Sequence, residues 1–154
     1  MNENKIVAIL NRKGGVCKTT TTHNLGVALA ERDYRVLLVD CDTQRNLSIS
    51  LGINHPDEEA DDVDIHNCIR HLENGLDFIP NKQALSALEK QISTLDFRRE
   101  CVLFDALEDV RLDYDYILVD CMASLGMLAV NVMMVCDAAL LVSTPEEDSI
   151  EGLS

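Results

Sequence analysis

Short runs of this chain are apolar without polar alternation: Ile6-Val7-Ala8-Ile9-Leu10, Val36-Leu37-Leu38-Val39, Tyr116-Ile117-Leu118-Val119 and Ala138-Ala139-Leu140-Leu141-Val142. A strand covered on both faces needs an apolar side chain at every position, so these runs predict buried strands of a parallel sheet. Leu76-Asp77-Phe78-Ile79 predicts a weaker strand, ended by Pro80, which has no N–H to give to a ladder. Between the runs the period lengthens. Leu25, Ala28 and Leu29 share one face of a helix predicted from Lys18 to Glu31. Leu85, Leu88 and Ile92 recur at helical spacing, and Val102, Leu103, Ala106, Leu107 and Val110 form an apolar stripe opposite charges. From Leu125 to Val135 the chain is apolar almost all round, which predicts a helix that is buried or lies at an interface. Strands alternating with helices predict an α/β fold: a doubly wound, mostly parallel sheet flanked by helices. Residues 149–154 read as the start of another helix.

Composition narrows this picture. The 154 residues are 47% hydrophobic, enough for one globular domain with a sizeable core. No apolar run approaches the roughly 20 residues that span a bilayer, and the first residues lack the basic and apolar segments of an export signal, so a cytoplasmic, membrane-free location is expected. The six cysteines (17, 41, 68, 101, 121 and 136) form no Cys-x-x-Cys pair and no zinc-site spacing, and most are expected to be small buried hydrophobes. The net charge of −14, from 27 acidic against 13 basic residues, argues against a surface that grips nucleic-acid backbones. The acidic run Asp57-Glu58-Glu59-Ala60-Asp61-Asp62-Val63-Asp64 reads as a solvated loop, because it lacks the central Gly and terminal Glu of a calcium loop.

The chemistry concentrates at strand ends. Asn11-Arg12-Lys13-Gly14-Gly15-Val16-Cys17-Lys18-Thr19-Thr20 follows one buried strand and opens a helix. Free N–H groups at a helix start, the helix dipole and small glycines make such a loop an anion cradle. Lys18 there would bring a positive charge to outer phosphates, and the Thr19 hydroxyl would ligate magnesium. The second strand leads into Asp40-Cys41-Asp42-Thr43-Gln44-Arg45-Asn46, and the fourth into Asp120-Cys121-Met122-Ala123-Ser124-Leu125-Gly126. In a doubly wound sheet, ligands gather at these carboxyl ends.

Lys13-Gly14-Gly15-x-x-Lys18-Thr19 is a deviant Walker A signature, and with the two aspartate loops the chain resembles the ParA/MinD superfamily, nearest to the ParA/Soj partition proteins. Gly75-Leu76-Asp77-Phe78-Ile79-Pro80, Tyr114 to Asp120 and Glu151-Gly152-Leu153 extend the match over nearly the whole chain. The resemblance implies a P-loop NTPase fold, ATP and Mg2+ as cofactors, and ATP hydrolysis. It implies nucleotide contacts from Lys13, Gly14, Gly15, Val16, Cys17, Lys18, Thr19 and Thr20, with Lys13, Lys18 and Asp42 as the catalytic groups. Lys13 would reach the nucleotide of the partner in an ATP-dependent homodimer. Asp42 would orient the attacking water, Asp40 would sit nearer the magnesium shell, and Thr19, Asp42 and Asp120 would hold the metal. A role in plasmid, chromosome or mobile-element partition follows, with a centromere-binding ParB-like partner. Non-specific DNA binding would need a basic surface supplied beyond residue 154. Residues 1–154 are expected to form a single nucleotide-binding domain that lacks the family's C-terminal strands and helices.

Departures from the pattern fall on the chemistry. Cys17 replaces the glycine before Lys18, where the backbone must approach phosphate closely and adopt a conformation that glycine tolerates best. Thr43 and Arg45 replace a Pro and a Gly in the first switch, Met122-Ala123 a Pro-Pro in the second, and Asp33 a turn glycine. Weak or absent ATPase activity is expected, and a catalytically inactive nucleotide-binding or interaction protein is the alternative. Cys17, Cys41 and Cys121 all belong to loops at the ligand edge, either by coincidence or as a redox-sensitive or metal-capturing cluster. The cysteines do not match the cluster-holding positions of the nitrogenase iron protein, which shares the deviant loop.

Overall fold

The computed structural model describes residues 4–42, 44–53, 64–81, 92, 94–122, 126–146, 148 and 150. Their elements are β1 (Lys5–Leu10), α1 (Lys18–Ala30), β2 (Val36–Cys41), α2 (Asn46–Ser50), α3 (Ile65–Cys68), β3 (Arg70–His71), β4 (Leu76–Ile79), α4 (Val102–Val110), β5 (Tyr116–Cys121), α5 (Met127–Val135) and β6 (Ala138–Leu141). Among the described residues the sheet is six-stranded, in the order β3-β4-β2-β5-β1-β6. Every pair is parallel except β3 with β4, so the sheet is mostly parallel, as the unbroken apolar runs predict.

The strand period of two sorts side chains onto two cores. Ile6, Ala8, Leu37, Val39, Cys41, Ile117, Val119 and Cys121 face one way, against Leu103 and Leu107 of α4 and Leu128 and Val132 of α5. Ile9, Val36, Leu38, Leu76, Phe78 and Leu118 face the other way, against Leu25 and Leu29 of α1. The second face matters for function. Asp40 follows Leu38 by two and Asp120 follows Leu118 by two, so both carboxylates lie on the side of α1, and both are fully buried.

Several expectations need correction. β2 and β5 run two residues further than their apolar cores, carrying Asp40-Cys41 and Asp120-Cys121 into the sheet. Ladder bonds between neighbouring parallel strands hold them there despite the charge, with Asp40 opposite Asp120 and Cys41 opposite Cys121. β6 is exposed along its whole length in the described residues, although its sequence reads as a buried strand; it pairs with β1 on one side only. Ala28 points to solvent, because the inward face of α1 follows Lys18, Thr22 and Gly26. Gly26 is where α1 lies closest to β2: a Cβ there would meet Leu38 Cδ2 at 2.7 Å. α5 is neither wholly buried nor wholly at a surface. It buries Leu128, Asn131, Val132 and Val135 and exposes Met127, Val130, Met133 and Met134. The two-residue β3 carries no apolar signal and was not predicted. The expected helix through Leu85 and Leu88, most of the acidic run, and residues 151–154 lie outside the described residues; Asp64, at the end of that run, caps α3 by accepting from the His66 N–H.

Candidate functional site

The loop between β1 and α1 begins with Asn11, whose side-chain amide donates to the Val142 carbonyl at 2.8 Å and whose oxygen accepts from the Lys13 N–H at 2.8 Å. The loop is thereby tied to the strand beyond β1. Gly15 adopts φ +78°, a left-handed conformation that costs glycine nothing, and side chains added at Gly14 or Gly15 would meet no atom within 4 Å. Their backbone faces open space. Cys17 is the N-cap of α1 at φ 67°, ψ 26°, also left-handed, and its thiol caps nothing. The glycine-favouring conformation expected at this position is present, and a cysteine holds it. Val16 is buried beneath the loop, while Cys17 and Thr20 are exposed.

Lys18 is 7% exposed, and its ammonium donates to the Lys13 carbonyl at 3.1 Å, closing the loop on itself. Lys13 turns outward. Its ammonium lies 2.8 Å from Glu146 Oε2 and 3.7 Å from Asp148 Oδ2, and the hydrogen bond it donates to Glu146 raises its pKa. Thr19 donates its hydroxyl to Asp120 Oδ2 at 2.7 Å. Asp120 Oδ1 is buried with no partner among the described residues. Burial pushes the Asp120 carboxyl up to about 6, with Asp40 and Asp42 adding to the rise and the Thr19 hydroxyl and Lys18 opposing it. A buried carboxylate oxygen without a donor is an expensive arrangement, and a hard cation beside Thr19 and Asp120 would relieve it. Magnesium suits such a site, because it needs few protein oxygens when phosphates and water complete its shell. The residues present fit the ion.

Asp40 has a different role from the one expected. Its Oδ2 accepts from the Ser48 N–H at 2.9 Å and the Ser48 hydroxyl at 2.6 Å, and its Oδ1 from the Asp42 N–H at 3.1 Å. Both oxygens are spent on the loop that follows, so Asp40 fastens the backbone rather than facing a metal. Burial raises its pKa, with the Ser48 bonds working against that. Asp42 is half-buried, accepts from the Gln44 N–H at 2.9 Å, and borders the cavity.

That cavity, about 850 Å3, is lined by Gly14, Gly15, Cys17, Lys18, Thr19 and Thr20, by Asp42, Gln44, Asn46 and Ser50 from the β2–α2 segment, and by Met122. Of the residues named from sequence, the structure gathers Gly14, Gly15, Cys17, Lys18, Thr19, Thr20 and Asp42 on its wall, with Asp120 bonded behind Thr19. Lys13 is directed away toward Glu146. Sequence reasoning missed Asn11, Ser48 and Asn81, single polar residues with no motif of their own; their burial in an apolar frame is what reveals them.

The three cysteines do not assemble. Cys41 and Cys121 are buried neighbours on the α4–α5 face, while Cys17 is exposed at the cavity on the α1 side. Burial pushes both buried thiols well up, so they stay protonated. No group of three or more His, Cys, Asp or Glu suited to a metal occurs among the described residues. No described helix is long and apolar enough to cross a membrane.

A family model described as an AAA domain matches residues 4–154. The chain belongs to this ParA/MinD-type P-loop ATPase family. Within it, the sporulation initiation inhibitor protein Soj of Bacillus subtilis is 43% identical over 159 residues, covering 97% of this chain and 62% of Soj. Cobyrinic acid a,c-diamide synthase from Mycobacterium smegmatis, with bound ADP and magnesium, superposes at a TM-score of 0.83 and 30% identity over 98% of this chain and 65% of its own. A plasmid partition protein from Borrelia burgdorferi superposes at 0.81 and 26% identity over 98% of this chain and 69% of its own. The chain spans 50% to 62% of the length of the curated relatives it matches.

Proposed function

We propose that the chain is a ParA-like switch that binds ATP with magnesium, hydrolyses it weakly, and serves partition of a plasmid, chromosome or mobile element. The observation that carries this reading is Asp120 Oδ1, buried without a partner beside the Thr19 hydroxyl at the foot of a glycine-lined loop. Similarity to Soj, to a partition protein and to a synthase holding ADP and magnesium supports it.

In this reading the amides of Gly14, Gly15, Val16, Cys17, Thr19 and Thr20 surround the phosphates, and Lys18 exchanges the Lys13 carbonyl for the outer phosphate oxygens. Thr19 and Asp120 hold magnesium, with Asp42 nearby. When bound, that ion neutralises phosphate charge as the terminal bond breaks. Asp42 accepts a hydrogen bond from the attacking water and aligns it, so that the water oxygen bonds to the terminal phosphorus as ADP leaves. Lys13 leaves Glu146 and Asp148 to reach the nucleotide of a second copy, making an ATP-dependent homodimer. A centromere-binding ParB-like protein stimulates the reaction in the cytoplasm. With a net charge of −14, these residues alone bind DNA poorly.

A second reading, a nucleotide-binding protein without turnover, is favoured by Cys17, whose side chain borders the cavity from a left-handed backbone. One titration separates the two. A fluorescent ATP analogue is added with magnesium, and phosphate release is then followed. Binding with release supports the switch, binding without release supports the second reading, and no magnesium-dependent binding refutes both.

A further inference from the structure

Beyond the groups that touch nucleotide, the segment carrying Asp42 is held by buried polar residues from two strand ends. Asp40 and Ser48 grip it from the β2 side: Asp40 Oδ1 takes the Asp42 N–H, and Asp40 Oδ2 takes both the N–H and the hydroxyl of Ser48. From β4, Asn81 follows Pro80 and is 5% exposed. Its side-chain amide donates to the Asp42 carbonyl, and its N–H reaches the Ser48 hydroxyl at 3.5 Å. The same Asp42 carbonyl also accepts from the Arg45 N–H at 2.8 Å.

We infer that Asn81 is a positioning residue that fixes the backbone at Asp42, and so aims the Asp42 carboxylate, by donating from the end of β4 to the Asp42 carbonyl. This rests on the reading of Asp42 as the group that orients the attacking water. Within the loop, Asp42 is held by the Gln44 and Arg45 N–H groups, without a residue that presets the backbone. Arg45 sits at φ 56°, where an L-residue is strained and a glycine would not be, and position 43 is not a proline that would preset φ. A donor from outside the loop does what those residues would do within it. Burial makes the bond matter on the Asn81 side, because an amide 5% exposed has little water to replace a lost acceptor. Asn81 does not itself line the cavity, and reaches it through its bonds to Asp42 and Ser48.

The test compares the chain with Asn81→Ala and with the isosteric Asn81→Asp, which keeps the shape but offers no N–H. Phosphate release, binding of a fluorescent ATP analogue with magnesium, and amide hydrogen exchange are measured on each. Both variants should lower kcat about five- to tenfold, the loss of one buried hydrogen bond, with KM and analogue affinity within about twofold. Exchange at the Asp42, Gln44 and Arg45 amides should quicken by a similar factor, while amides of β1 and α4 keep their protection. Unchanged exchange at those three amides overturns the inference, as does a uniform rise through the sheet, which would mark general destabilisation. Unchanged kcat in an active chain also overturns it. If the unsubstituted chain releases no phosphate, the hydrolysis reading fails on its own, and the exchange pattern alone decides whether Asn81 positions Asp42.

Discussion

Cys17→Gly separates the backbone of the phosphate loop from its side chains. Cys17 holds φ 67°, ψ 26°, makes no cap bond through its thiol, and lines the cavity. Replacing it therefore loses no hydrogen bond and opens no cavity in the core. A left-handed L-residue costs about 1–2 kcal/mol; the freer unfolded chain of the glycine variant takes back about 0.4–1 kcal/mol. The balance is a gain of about 0.5–1 kcal/mol, read as a higher urea midpoint at unchanged slope. Removing Cβ and Sγ from the cavity wall should tighten binding of a fluorescent ATP analogue with magnesium at least about tenfold, or roughly 1.4 kcal/mol. Cys17→Ala is the control. It keeps Cβ and the strain, so it should show no stability gain, and any affinity gain it shows belongs to the sulfur. If Cys17→Gly is no more stable than Cys17→Ala and binds within about twofold of the parent, the steric and conformational reasoning is refuted together.

Asp120 predicts a pH dependence of unusual sign. Its folded-state pKa of about 6 lies above the ordinary 3.8, so the ionised form is penalised by folding. The penalty is complete above pH 6 and fades as pH falls toward 4, and so this group makes the magnesium-free chain more stable on acidification, by up to about 3 kcal/mol. Urea midpoints of the parent minus those of Asp120→Asn, taken between about pH 4.5 and 7.5, should show that slope; a flat difference contradicts it. Asp120→Asn should also abolish magnesium-dependent nucleotide binding. Gly26→Ala should cost about 1–2 kcal/mol despite the better helix propensity of alanine, because the new Cβ meets fully buried Leu38 at 2.7 Å; thermal unfolding checks it, and a raised Tm would show that Leu38 moves aside freely.

The parallel sheet and the phosphate loop were legible because each repeats one physical demand over several residues. Unbroken apolar runs mark strands buried on both faces, and a Gly-Gly-x-x-Lys-Thr stretch after such a run marks an anion cradle. Legibility failed where the outcome depended on partners distant in the chain. Nothing in Ala138-Ala139-Leu140-Leu141 announces a strand paired on one side only. Asp40 and Asp42 look equivalent in sequence, yet Asp40 lies within β2, buried among Ser48 and backbone donors, while Asp42 follows the strand's end and borders the cavity. Cys41 and Cys17 looked like neighbours, but strand parity turns Cys41 toward α4 and α5, while Cys17 caps α1 on the opposite face. Asn131 is a lone polar residue on an apolar helix. Its oxygen accepts from the Leu103 N–H and its amide donates to the Arg99 and Met127 carbonyls, so it fastens the start of α4 across 28 residues of chain.

The bond from the Lys18 ammonium to the Lys13 carbonyl has a consequence for selectivity. The loop already satisfies its buried cation with its own peptide oxygen, so an incoming anion must displace that oxygen rather than meet a bare charge. A small singly charged anion gains little from such an exchange. A chain of phosphates, which can engage the freed ammonium and the loop amides together, gains at several points for the same displacement. Self-closure therefore works as a filter against simple anions, set by how firmly Lys18 is held before anything arrives.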